Sequence, residues 1–257
     1  MIPKLPAEFL SLPVAHRALH DVTDGRPENS RAAIRAAIQA GYAIEIDLQR
    51  SSDGCPMVFH DYMLDRLAEA RGGIMARSQA ELAKTPLIGG DGEGIPTLCE
   101  VLDLVAGQVP LLIEIKDQDG NLGPNVGPLE EATAKALQSY AGPVALMSFN
   151  PHATAALAQY APDIARGLVT SAYDPTDWIP VPKATCERLR DIPDFDASQS
   201  SFISHEVGDL SRKRVQDLRS AGVPILCWTV TSAEMEQEAR QWVDNVTFEQ
   251  YLSPLAG

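Results

Sequence analysis

Short apolar runs alternate with longer stretches of helical period along this chain. Val14–Ala18 reads as a strand, and Ser30–Ala40 as a helix with Asn29 or Ser30 as N-cap and Gly41 as stop. Ala43–Gln49 is the next strand. Asp53-Gly54 signals a turn, after which Val58-Phe59-His60 returns as a short extended piece. Residues 62–95 carry mixed signals, broken by Arg71-Gly72-Gly73 and by the glycines between Gly89 and Gly94. Thr97 caps a helix that runs to Ala106. Leu111–Lys116 is a strand, followed by a Gly/Pro-bearing loop over 117–128 and a helix over 129–140. Val144–Met147, Gly167–Thr170, Phe202–Ser204, Ile225–Val230 and Val246–Thr247 complete the strands, with helices between most of them.

About eight short strands in βα order imply parallel pairing. The pattern predicts a closed (β/α)8 TIM barrel, with an open doubly wound sheet as the alternative. A length of 257 residues suits one such barrel. No linker divides the chain, so residues 1–257 are expected to form a single domain with a small insertion, 62–95, after the second strand. No glycine fingerprint of the dinucleotide or P-loop type is present.

Two strands break the apolar pattern. One reads Ile44-Glu45-Ile46-Asp47 and the other Ile113-Glu114-Ile115-Lys116. Successive strand side chains point to opposite faces, so Glu45 shares a face with Asp47, and Glu114 with Lys116. Charges facing an interior are costly unless they are paired or bound to a metal. Three carboxylates and a lysine at strand ends therefore predict a cation site beside an anionic substrate. A pair of edge strands with a solvated face is the plainer reading. Oxygen ligands suit a hard divalent cation, Mg²⁺ or Ca²⁺.

The net charge of −14 disfavours polyanions, so nucleic acid is not an expected partner. A divalent cation would reverse the sign of the field locally. No apolar run approaches the roughly 18 residues of a membrane-spanning helix. The start shows no secretory pattern. Cys55, Cys99, Cys186 and Cys227 are far apart and form no CxxC pair, which fits reduced thiols in a cytoplasm.

Other polar residues fall at barrel strand ends, where such folds place their sites. His16-Arg17 ends the first strand, and His60-Asp61 lies beyond the second. Two imidazoles can serve as general acid and base. Arg17 and Lys116 can hold phosphate oxygens. Each has a duller reading: a structural histidine, an ion-pair partner, a helix cap at Pro27-Glu28-Asn29-Ser30. His20, His152 and His205 belong to no comparable pattern and read as structural or surface groups. The segment Tyr173–Trp178 is expected as a loop after the fifth strand, either covering the mouth with aromatic rings or simply exposed.

In order, the pieces are His16-Arg17, Pro27-Glu28-Asn29-Ser30, Glu45-Ile46-Asp47, Asp53-Gly54, His60-Asp61, Leu64-Asp65-Arg66, Ile95-Pro96-Thr97-Leu98 and Glu114-Ile115-Lys116. This resembles the glycerophosphodiester phosphodiesterase family across residues 14–116. Weaker echoes follow at Ser148-Phe149-Asn150 and Trp228-Thr229-Val230. The resemblance implies a TIM barrel that hydrolyses glycerophosphodiesters to an alcohol and glycerol 3-phosphate. It implies Glu45, Asp47 and Glu114 as metal ligands and His16 and His60 as the acid–base pair. It also implies Arg17, Lys116 and Trp228 as substrate contacts, with Glu28 and Asn29 as supports. The first step is either attack by the glycerol 2-hydroxyl, giving a cyclic phosphate, or attack by water. A sugar-phosphate aldolase or isomerase using Lys116 or a metal, and a non-catalytic phosphodiester-binding barrel, are the alternatives. Two departures stand out: Ala18 where the family has glycine after His-Arg, and Thr247-Phe248-Glu249-Gln250 where it often shows Thr-Asp, which removes an aspartate on the last strand.

Overall fold

Strands and helices alternate until the last strand meets the first. The computed structural model describes residues 2–255. Its strands are β1 (Val14–Ala15), β2 (Ala43–Arg50), β3 (Pro56–Val58), β4 (Leu111–Ile115), β5 (Val144–Ser148), β6 (Ala165–Thr170), β7 (Phe202–Glu206), β8 (Ile225–Val230) and β9 (Asn245–Phe248). All but β3 are parallel and close into the expected eight-stranded barrel, in which β1 pairs with both β2 and β9. β3 lies antiparallel on β2, with Leu48 opposite Val58. The helices are α1 (Glu8–Ser11), α2 (Arg31–Ala40), α3 (Gln79–Leu82), α4 (Leu98–Val105), α5 (Pro128–Leu137), α6 (Pro151–Tyr160), α7 (Lys183–Leu189), α8 (Lys213–Ser220) and α9 (Ala233–Ala239).

The caps form where the side chains allow them. Ser30 accepts from the Ala33 amide to start α2, and Gly41 ends it with a φ of 81°. Thr97 and Glu100 form a reciprocal capping box on α4. The first strand is shorter than the apolar run predicts. Arg17 and Ala18 turn left-handed, with φ of 52° and 65°, and end it.

The alternation within strands sorts the side chains. Ile44, Ile46, Ile113 and Ile115 point outward and are fully buried beneath the helices with Ile34, Ala37 and Val101. The other face fills the barrel with Ala43, Leu112, Ala145, Ala165, Phe202 and Leu226. Gly167 belongs to this interior as well: a Cβ there would lie 2.6 Å from the Phe202 ring, so the absent side chain makes room for the phenyl group. α1 closes the barrel from its N-terminal end. Phe9 inserts among the interior residues, and Asn245 Nδ2 donates to the carbonyls of Phe9 at 2.8 Å and Leu12 at 2.7 Å. Burying such a ring stabilises the fold by about 1.5–3 kcal/mol.

Between β3 and α4 the chain builds a separate apolar cluster from Phe59, Leu64, Ile74, Leu82, Leu87 and Ile95. Most of this cluster comes from the stretch 62–95. No helix among the described residues is long and apolar enough to cross a membrane.

Candidate active site

Strand polarity brings the charged faces of β2 and β4 to the open end of the barrel. Glu45, Asp47 and Glu114 are all buried, and one oxygen of each lies within 4.8 Å of the others. Glu45 Oε1 has no hydrogen-bond partner, and neither does Asp47 Oδ1, although Lys116 Nζ approaches the latter to 2.7 Å. Lys116 also donates to Glu114 Oε1 at 2.8 Å. Burial and the charges of Asp47 and Glu114 push the Glu45 carboxyl well above the ordinary range. Burial opposes ionisation of Asp47 too, but the positive charges around it, Lys116 first and then His60 and Arg17, together more than offset it, and the Asp47 pKa is lowered. Three converging oxygen donors, with Glu45 Oε1 buried and unpartnered, fit a hard divalent cation.

The residues around the cluster hold it in place. Asn29 Nδ2 donates to Asp47 Oδ2 at 2.9 Å, and its Oδ1 accepts from the Asp47 amide at 3.1 Å. Asn29 is left-handed, with φ of 60°, which an asparagine tolerates better than most residues. The Arg17 amide donates to Glu45 Oε2 at 2.7 Å. Its guanidinium pairs with Glu28 at 2.8 Å, and Arg17 Nε stands 3.7 Å from Asp47.

Both expected histidines reach the same space, and each is held from behind. His16 Nδ1 lies 2.7 Å from Glu249 Oε2, and His60 Nδ1 lies 2.7 Å from Asp61 Oδ1. Burial lowers the His16 pKa, while the bond to Glu249 opposes the shift. Asp61 takes two further bonds from Arg66, both 2.7 Å, and Arg66 continues to Glu28 at 2.9 Å. An unbroken set of ion pairs thus runs from the His60 loop to Arg17.

These groups form one wall of a cavity of about 80 Å³. Met147, Phe149, Val169 and Trp228 form the opposite, apolar wall. The Trp228 indole is fixed by its Nε1, which donates to the Ser204 carbonyl at 3.1 Å. A larger hollow of about 480 Å³ lies beyond Ala18 and Glu249. It is lined by none of the three clustered carboxylates, so the smaller cavity is the candidate site.

The family model for the glycerophosphoryl diester phosphodiesterase family matches residues 16–249. The chain belongs to this family. A glycerophosphodiester phosphodiesterase from Caldanaerobacter subterraneus subsp. tengcongensis is 28% identical over 246 residues, 92% of this chain and 93% of its own length. The fold is also similar to that of a phosphodiesterase from Oleispira antarctica, solved with the product sn-glycerol-3-phosphate. That match has a TM-score of 0.75 at 27% identity, over 93% of this chain and 94% of that one. A glycerophosphodiester phosphodiesterase from Parabacteroides distasonis shares the fold with a TM-score of 0.73 at 20% identity, over 93% and 92% of the two chains. The enzyme class is accordingly that of a phosphoric diester hydrolase.

Every residue singled out by the family resemblance is at this end of the barrel. His16, Arg17, Glu45, His60, Glu114, Lys116 and Trp228 line the cavity. Asp47 lies beneath Lys116, while Glu28 and Asn29 stand behind Arg17 and Asp47. Sequence reading misses Glu249. The last strand lacks an aspartate, yet it delivers a carboxylate to His16 one residue past its end. The one signal for it is an acidic residue at the C-terminal end of a barrel strand. His20, expected as structural or surface, joins the same carboxylate at 3.3 Å. The loop after β6, the fifth strand of the barrel, is not simply exposed. Tyr173 is buried with its hydroxyl donating to the Val169 carbonyl, and Trp178 packs its ring 4.9 Å from that of Phe149.

Proposed function

We propose that this family member is a metal-dependent glycerophosphodiesterase that uses His16 and His60 as its acid–base pair and releases glycerol 3-phosphate and an alcohol. One observation carries the reading: two imidazoles, each backed by a carboxylate at Nδ1, face the cavity that holds the three converging carboxylates.

Glu45, Asp47 and Glu114 would hold the cation, Mg²⁺ or Ca²⁺, which supplies positive charge where phosphoryl oxygens gain negative charge. Arg17 and Lys116 contribute fixed charge beside it and orient the phosphate. One histidine takes the proton of the nucleophile, and the other gives one to the departing alkoxide oxygen. Met147, Val169 and Trp228 exclude water from the opposite side and present an apolar surface to the glycerol carbons. Glu28 and Asn29 keep Arg17 and Asp47 in register.

The aldolase alternative needs a neutral, nucleophilic Lys116. Burial favours that form, but the adjacent carboxylates of Asp47 and Glu114 more than offset it and raise the lysine pKa, so the ammonium persists. A cytoplasmic setting is supported by the free thiols of all four cysteines.

The test is a panel of glycerophosphodiesters assayed with Mg²⁺, Ca²⁺, Mn²⁺ or a chelator. Release of glycerol 3-phosphate that stops on chelation and returns with metal is the expected result. Turnover in excess chelator, with no metal found by elemental analysis, would sink the metal assignment. No release from any diester would sink the reaction.

A further inference from the structure

We propose that Glu249 is a positioning residue that fixes the ring of His16, with His20 holding the carboxylate in place. This rests on the reading of His16 as one of the acid–base pair. A carboxylate only accepts hydrogen bonds, so the imidazole nitrogen that faces it at 2.7 Å must carry the proton. The neutral His16 ring is therefore the Nδ1–H form, with the lone pair on Nε2. Nδ1 points at Glu249, in the wall of the large hollow, while His16 itself lines the small cavity.

The backbone holds this pair just beyond the strand ends. The His16 amide donates to the Phe248 carbonyl at 2.9 Å, and the Glu249 amide to the Val230 carbonyl at 3.0 Å. Imidazole and carboxylate thus stand one residue past the ends of two neighbouring parallel strands. His20 Nε2 reaches the same Oε2 at 3.3 Å, and Gln250 Nε2 donates to Oε1 at 3.2 Å. Both bonds restrict the rotation of Glu249.

His60 has a comparable partner of a different kind. Asp61 is neutralised by two bonds from Arg66, whereas no arginine or lysine reaches Glu249 among the described residues. Its full charge is directed to imidazoles. The two histidines therefore share one geometry but face unequal partners.

The test uses the full chain labelled with ¹⁵N in its imidazoles. Long-range ¹H–¹⁵N correlation at about pH 8 reads the tautomer, and His16→Gln assigns the signals. Wild type is expected to show Nδ1–H at His16. Glu249→Leu is expected to move it toward the Nε2–H form and to lower kcat at least about 100-fold, with KM within about threefold. Glu249→Asp, which keeps a carboxylate, should recover the tautomer and about tenfold or more of the lost rate. Where the leucine variant does not fold, Glu249→Ala gives the same reading. An unchanged tautomer, or a kcat near that of wild type without the carboxylate, overturns the assignment. The spectrum is recorded without substrate, so it reports on Glu249 even for a chain that hydrolyses no glycerophosphodiester, a result that would instead refute the proposed reaction.

Discussion

Lys116 Nζ reaches across from the end of β4 to stand 2.7 Å from Asp47 Oδ1 on β2. The same ammonium bonds Glu114, so one cation ties together the carboxylates of two strands. Its removal leaves the buried acids facing each other uncompensated. Lys116→Met is expected to reduce turnover strongly. Lys116→Arg should restore only part of it, because a planar fork replaces a compact charge. Steady-state kinetics with borohydride trapping checks this: a covalent adduct on Lys116 would revive the Schiff-base alternative.

The two imidazoles should be separable by the leaving group. His16→Ala and His60→Ala are each expected to lose about 10² to 10⁴ in rate while remaining folded. A nitrophenyl ester needs little protonation on departure, so it should rescue the variant lacking the acid and not the one lacking the base. Rescue of neither variant means that neither histidine is the acid.

Much of this site is legible in the amino-acid sequence. Alternation of charge and isoleucine in two strands locates the three carboxylates, because period two forces Glu45 and Asp47 to one side. Barrel closure does the rest by aligning the ends of β1, β2 and β4. Glu249 and His20 escape because their role depends on a contact between the first and last strands, more than 200 residues apart in sequence. Ala18 stands where the resemblance leads one to expect a glycine. Its φ of 65° is left-handed, a conformation that a glycine adopts at lower strain. The end of the first strand is hidden for the same reason: a left-handed turn has no hydrophobic period.

A further histidine gives a pH test away from the site. His205 is buried on β7, between the Thr170 hydroxyl at 2.8 Å from Nδ1 and Asp209 at 3.3 Å from Nε2. Burial lowers its pKa below the ordinary 6.5 despite the attraction of Asp209. Its folded form is therefore favoured as the neutral ring. The associated stability is present above pH 6.5 and is lost as pH falls from there toward the lowered value. Urea unfolding at about pH 8 and about pH 5 should show a larger loss for wild type than for His205→Gln, up to about 1.4 kcal/mol per pH unit. Equal losses would remove His205 from the account.

Gly167 makes a test of the barrel interior. Gly167→Ala places a methyl group against Phe202 and is expected to cost about 1–3 kcal/mol. Thermal unfolding reads this as a drop of roughly 2–4 °C for each kcal/mol. Adding Phe202→Leu should return part of it, since the smaller side chain vacates the contested space.

With Phe9 seated in its floor, the barrel is a blind-ended cup rather than a tube. Among the described residues the floor is filled, so diester, water and products would pass by the opposite end of the barrel. A molecule lodged at that end therefore obstructs arrival and departure together, and any residue that narrows it governs traffic in both directions.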